Sequence, residues 1–167
     1  KVVTVLGPMD PGDMGITHSH EHVMWDYFRM IRSYDVIFDD ESVATEEVRL
    51  FAQAGGGTLI ACTTTGLGPR PEALRRISEA TGVNIVLGCG WYREPVYTRE
   101  VDELTANALA DIMVEQLTKG FAGTSVPAGF IGEIGTERGH ISAREERVFR
   151  AAGKASLSTG AAIWTHT

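Results

Sequence analysis

The sequence is short of positive charge: 15 Lys and Arg stand against 22 Asp and Glu, a formal net charge of -7 at pH 7. Nucleic acid and anionic membrane surfaces select for basic patches, so this balance argues against both and leaves a small molecule as the expected partner. No run approaches the roughly 18 apolar residues of a membrane-crossing helix. No charged start leads into an apolar core as in a signal peptide. A cytoplasmic location is the default, although the chain opens on Lys1 rather than Met, so its natural start is expected to be missing or processed. Cysteine is scarce. Cys62 and Cys89 lie inside the apolar segments LIACTTT and IVLGCGW with no Cys-x-x-Cys spacing, which reads as buried thiols of a reducing compartment rather than a disulfide framework. There is no Gly-x-Ser-x-Gly elbow and no cysteine with an evident catalytic partner, so nothing marks a side-chain nucleophile.

What is present is an ordinary globular composition, 43% apolar and 22% charged over 167 residues, arranged as alternating short apolar runs and amphipathic stretches. The opening KVVTVLGPMDPGDMGI reads as a small hairpin turned by Pro8, Pro11 and Gly12 and lidding the body of the protein. Strands are expected at 16–22, 58–64, 83–89, 129–134 and 161–166, each nearly continuous in apolar residues, as in strands covered on both faces. Helix patterns lie between them. One carries Val43, Val48, Phe51 and Ala52 before Gly55, and the next starts at Pro71 and stops at Gly82. A third runs from about Glu100 to Lys119 with Gly120 as its stop, and the last opens on a Ser142/Glu145 capping box and closes at Gly160. This alternation argues for a parallel α/β sheet with right-handed crossovers. No repeat, linker or low-complexity tract divides it, so residues 1–167 read as one domain or part of one.

The segment GITHSHEHV, Gly15 to Val23, places His18, His20 and His22 at every second position of a strand, and residues two apart share a face. His20 and His22 are about 7 Å apart along the backbone at the usual rise, close enough for their rings to converge on one ion. Imidazoles of this kind suit zinc and other divalent first-row metals. Glu133 sits mid-strand in GFIGEIGT, where an ionised carboxylate needs a cation. His166 ends the last strand, at the carboxyl end where α/β barrels place their chemistry. Each residue alone has a bland reading: His18, one layer deeper, is expected to be a satisfied core histidine, and His140 in ERGHIS a solvated surface residue. Glu133 alone could equally be a structural hydrogen-bonding group. Together His20, His22, Glu133 and His166 read as metal ligands. Strand parity further expects His18, Ile131 and Trp164 to fill the interior beneath them.

In the order and spacing of TVLGP, GITHSHEH, GCGWYREP, AGFIGEIGTERGHIS and TGAAIWTHT, the chain resembles the phosphotriesterase-like branch of the amidohydrolase superfamily. The resemblance implies a (β/α)8 TIM barrel holding two divalent metals, zinc by default with manganese or cobalt as alternatives. His20 and His22 match ligands of the more buried ion, His166 a ligand of the more exposed one, and Glu133 the bridging position. Phosphotriesterases and lactonases use a carboxylated lysine there, whereas glutamate marks the phosphotriesterase homology proteins, the subgroup this chain resembles most. Tyr92 matches an aromatic position at the mouth of the site, where it either orients a substrate carbonyl or covers the pocket as a rim residue. The family has an apolar residue in place of His18, which is therefore not taken as a ligand.

The activity implied is metal-dependent hydrolysis of a lactone, carboxylic ester or phosphoester by a metal-bridging hydroxide. A barrel takes roughly 250 residues, and the family's remaining ligands, a His after the sixth strand and a strand-eight Asp, fall beyond Thr167. Residues 1–167 are therefore expected to be the N-terminal part of a barrel, about five βα units plus the hairpin, and inactive alone. Either a longer polypeptide supplies the remainder or two copies complete each other as a homodimer. The alternative function is a non-catalytic barrel remnant that only binds metal or ligand.

Overall fold

The computed structural model describes residues 1–166. Its centre is a parallel five-stranded sheet in the order β3 (Ile16–Glu21), β6 (Gly56–Ala61), β7 (Asn84–Cys89), β8 (Phe130–Gly135) and β9 (Ile163–His166). Ahead of it β1 (Val2–Thr4) pairs antiparallel with β2 (Gly7–Met9). Between β3 and the first long helix, β4 (Trp25–Asp26) pairs with β5 (Ile37–Phe38) around the single turn α1 (Phe28–Ile31). The remaining helices are α2 (Glu41–Gln53), α3 (Pro71–Thr81), α4 (Arg99–Glu103), α5 (Ala106–Thr118) and α6 (Ala143–Thr159). None of the described helices is long and apolar enough to cross a membrane.

The register explains why β6, β7 and β8 are largely apolar and buried, whereas the outer strands β3 and β9 are mostly exposed and carry polar residues, against the expectation that every strand is covered on both faces. Leu59 pairs with Ile85 and Ile60 with Val86, so successive residues face opposite sides. Leu59, Ile85, Leu87, Ile131 and Ile134 pack with helix residues such as Leu74, Ile77, Leu109, Met113 and Val148. On the other side Ile60, Cys62, Val86, Phe130 and Trp164 pack with Val2. The second cluster is the interior of the barrel, and the five strands are the first part of a (β/α)8 barrel wall.

The helices carry the expected punctuation. Pro71 opens α3 and Gly82 ends it at φ 74, while the Ser142–Glu145 capping box opens α6 and Gly160 closes it at φ 76. Two readings need correction. The single helix expected from Glu100 to Lys119 is broken, because Leu104 is extended and the Thr105 side chain accepts from Ala108 N, starting α5 afresh. A threonine hydroxyl offers the backbone an alternative to continuing the helix, and here it caps a new one. The opening hairpin turns at Val5 and Leu6 rather than at the prolines, since Thr4 pairs with Gly7. Val5 N donates to Ile85 O at 2.8 Å, so the hairpin closes the amino end of the barrel, opposite the carboxyl ends of the strands.

Candidate metal centre

Two local irregularities aim the site. Along β3 the pairing passes from His18↔Leu59 to Glu21↔Ala61, three residues of β3 against two of β6. Along β8 it passes from Ile131↔Ile163 to Ile134↔Thr165, again three against two. Each extra residue is a bulge, and a bulge reverses which face the following side chains occupy. Gly132 suits the second bulge: its φ is +138, and a Cβ there would stand 2.5 Å from Trp164 O.

After the bulges His20, His22 and Glu133 meet. The His20 and His22 Nε2 atoms are 3.4 Å apart, and Glu133 Oε2 lies 3.6 Å from the first and 3.9 Å from the second. Ligands at about 2.0–2.1 Å from a tetrahedral zinc stand roughly 3.3–3.5 Å from each other, so the triangle is close to one shared ion's coordination shell. Glu133 is buried, its side chain 3% exposed, and its ion-pair partners among the described residues are histidines, with no Lys or Arg. A buried carboxylate faced by imidazoles and by no Lys or Arg calls for a cation. Burial holds His22 below the ordinary histidine range, against the opposing pull of Glu133. Its ring is therefore neutral at pH 7, the form that ligates a metal.

The other Glu133 oxygen, Oε1, is in contact with His166 Nδ1. His166 thus lies outside the triangle and reaches it through the carboxylate. Its Nε2 faces the Tyr92 hydroxyl at 3.1 Å, and the two rings cross edge to face. Tyr92 is buried among Leu67 and Val96 with Tyr27 and Met30, and burial pushes its hydroxyl up to about 12. Its proton stays on, and the hydroxyl is engaged by His166 instead of standing free at a rim.

The inner layer departs from strand parity in two of three places. Trp164 lies inside, crossing the His20 ring at 6.1 Å between centroids. His18, however, precedes the β3 bulge and faces the helix side, half exposed, with Nδ1 3.3 Å from Glu21 Oε2 and its ring near Phe51. It is not a core histidine. Ile131 likewise precedes the β8 bulge and packs against the helices, and Phe130 takes the interior place. His140 is exposed, as expected of its loop.

Sequence reading missed the segment between β3 and α2. Trp25 stacks on His22 at 4.7 Å, and Tyr27 stacks on Trp25 at 4.6 Å, an aromatic wall on one side of the triangle. The aromatic density of HVMWDYF was the available signal. Thr63 was also missed: its hydroxyl lies 3.1 Å from His22 Nδ1, and the first of three consecutive threonines after a strand carries no sequence signal of such a role.

A parallel barrel wall with imidazoles and a buried carboxylate gathered toward the carboxyl ends of its strands defines the class: an α/β-barrel protein with a cluster of side chains of the kinds that ligate metals. The family follows from comparison. The Phosphotriesterase family model matches residues 1–167, and the chain belongs to that family. It is 31% identical to the N-acetyltaurine hydrolase of Tetraodon nigroviridis over 99% of this chain and 56% of the relative. The crystal structure of the phosphotriesterase homology protein from Escherichia coli, complexed with phosphate in its active site, is 32% identical with a TM-score of 0.89, over 95% of this chain and 54% of that one. A lactonase from Listeria monocytogenes is 27% identical with a TM-score of 0.92, over 99% of this chain and 56% of that one. The chain is of the phosphotriesterase-like type and spans about half the length of these relatives.

Proposed function

We propose that the full-length protein is a binuclear metal-dependent hydrolase acting on a lactone, a carboxylic ester or a phosphoester. The observation that carries this reading is the two-sided environment of Glu133, with one oxygen toward His20 and His22 and the other on His166. A carboxylate so placed suits a bridge between two ions, one held by His20 and His22 and the other by His166. There His20, His22, Glu133 and His166 would hold zinc, manganese or cobalt, which would supply a water of lowered pKa and polarise the scissile bond.

The chain's own groups support this assignment by what they cannot do. Cys62, in the interior near Glu133, is pushed up to about 12 by burial and by that carboxylate, and a thiol so protonated is no nucleophile. Tyr92 keeps its proton and orients His166. Trp164 on one side and Trp25 and Tyr27 on the other flank the cluster, whose histidines stay open enough for a substrate to reach. The names of the relatives, an N-acetyltaurine hydrolase and a lactonase, are compatible with attack on an acyl group and add the amide to the bonds to be tried.

The test is made on the full-length protein. Elemental analysis after saturation with zinc, manganese or cobalt should find about two ions per chain. A panel of a lactone, an aryl ester, an N-acyl amide and an aryl phosphotriester should show hydrolysis that a chelator abolishes and added metal restores. Absence of bound metal, or hydrolysis indifferent to the chelator, would refute the proposal.

A further inference from the structure

We infer that Thr63 is a positioning residue that sets the tautomer of His22, leaving the Nε2 lone pair free toward Glu133 and His20. Thr63 is buried, 1% exposed, and its hydroxyl oxygen has two neighbours. It lies 3.2 Å from the Met24 carbonyl oxygen and 3.1 Å from His22 Nδ1. A hydroxyl carries one proton and a carbonyl oxygen can only accept. Were the proton directed at His22 Nδ1, the Met24 carbonyl would face the threonine oxygen across 3.2 Å with no proton between them, and a buried acceptor left so is costly. The proton therefore goes to Met24 O. The threonine oxygen then accepts from His22, which requires hydrogen on Nδ1.

With Nδ1 protonated and the ring neutral, Nε2 carries the lone pair, and Nε2 is the atom that faces His20 Nε2 at 3.4 Å and Glu133 Oε2 at 3.9 Å. Trp25 fixes the remaining freedom of the ring by stacking on its face, with 20° between planes. The same hydrogen bond to Met24 O anchors the backbone just ahead of Trp25, so one buried hydroxyl holds both the ring edge and the residue that covers its face. A neutral histidine in the other tautomer would present an N–H to the cation position. Partners of this kind typically change metal affinity by about 10–100-fold. The consequence for metal rests on the metal-site reading above, but the tautomer itself does not.

The full-length protein tests both. In the metal-free wild type, ring 15N NMR of His22 should show Nδ1 protonated and Nε2 unprotonated. The reverse pattern, or an averaged one, overturns the inference. Zinc affinity, measured by competition with a chromophoric chelator, should fall about 10–100-fold in Thr63→Val, which keeps the shape and removes the acceptor, and stay within about threefold in Thr63→Ser. Wild-type affinity in Thr63→Val overturns it. If Thr63→Val does not fold, the wild-type tautomer and the Thr63→Ser affinity decide. If the wild type binds no zinc, the metal reading fails and the NMR pattern still decides the role of Thr63.

Discussion

At the scale of single residues, the site depends on burial more than on charge. Glu133 is 3% exposed, and its two oxygens face different histidines, so Glu133→Gln should weaken both ions together, by at least about tenfold each. Titration of zinc into the full-length variant checks this, and loss of one ion alone would show that Glu133 is no bridge. The cysteines give a second measurement. Both are free and fully buried, and burial raises both, Cys62 to about 12. A thiol raised in the native state stays protonated where an unfolded one, near pH 8.5, already yields thiolate. At pH 8.5 an aromatic disulfide reagent should leave both thiols unmodified in the folded protein and titrate both in denaturant. Rapid native labelling would place Cys62 in open solvent.

At the scale of elements, bulges and caps decide what faces what. Gly132 occupies the β8 bulge at φ +138, with no room for a Cβ against Trp164. Gly132→Ala should destabilise by on the order of 2–3 kcal/mol through strain and a backbone clash, read as a lower denaturation midpoint. Thr105→Ala removes the cap that starts α5 and should cost about 1 kcal/mol, with the metal site unaffected because the cap lies on the helical layer. Cap and stop signals at Pro71, Gly82, Ser142, Glu145 and Gly160 were legible, since each acts through its own backbone. The break at Leu104 was not. The apolar spacing of Val101, Leu104 and Ala108 continues across it, and periodicity does not report a cap inside a continuous stripe.

At the scale of the whole molecule, β3 and β9 are the outer strands of the sheet, each paired on one side. Beside β3 a cleft of about 630 Å³ opens on the helix side, lined by residues including Val43, Val48, Phe51 and Leu59. Unpaired edges next to apolar surface favour association with other chains. The polypeptide 1–167 expressed alone should therefore run as dimers or larger species in light scattering coupled to gel filtration, and should show negligible ester or lactone hydrolysis. A monodisperse monomer that hydrolyses a panel substrate would overturn this expectation.

The sequence by itself determined the alternation of strands and helices, the apolar character of the three inner strands and the identity of the residues that meet at the centre. Histidines and a glutamate in apolar segments are costly enough that their chemistry is visible without coordinates. Tertiary structure alone decided their neighbours. His18 and His20 are two apart, yet one extra residue in β3 turns them to opposite sides, and the same step separates Ile131 from Glu133. A bulge is a property of pairing between strands, so no single strand's pattern contains it. Thr63 and Trp25 reach His22 only because β6 lies beside β3 and the loop folds back over the ring, contacts between segments that local sequence does not encode.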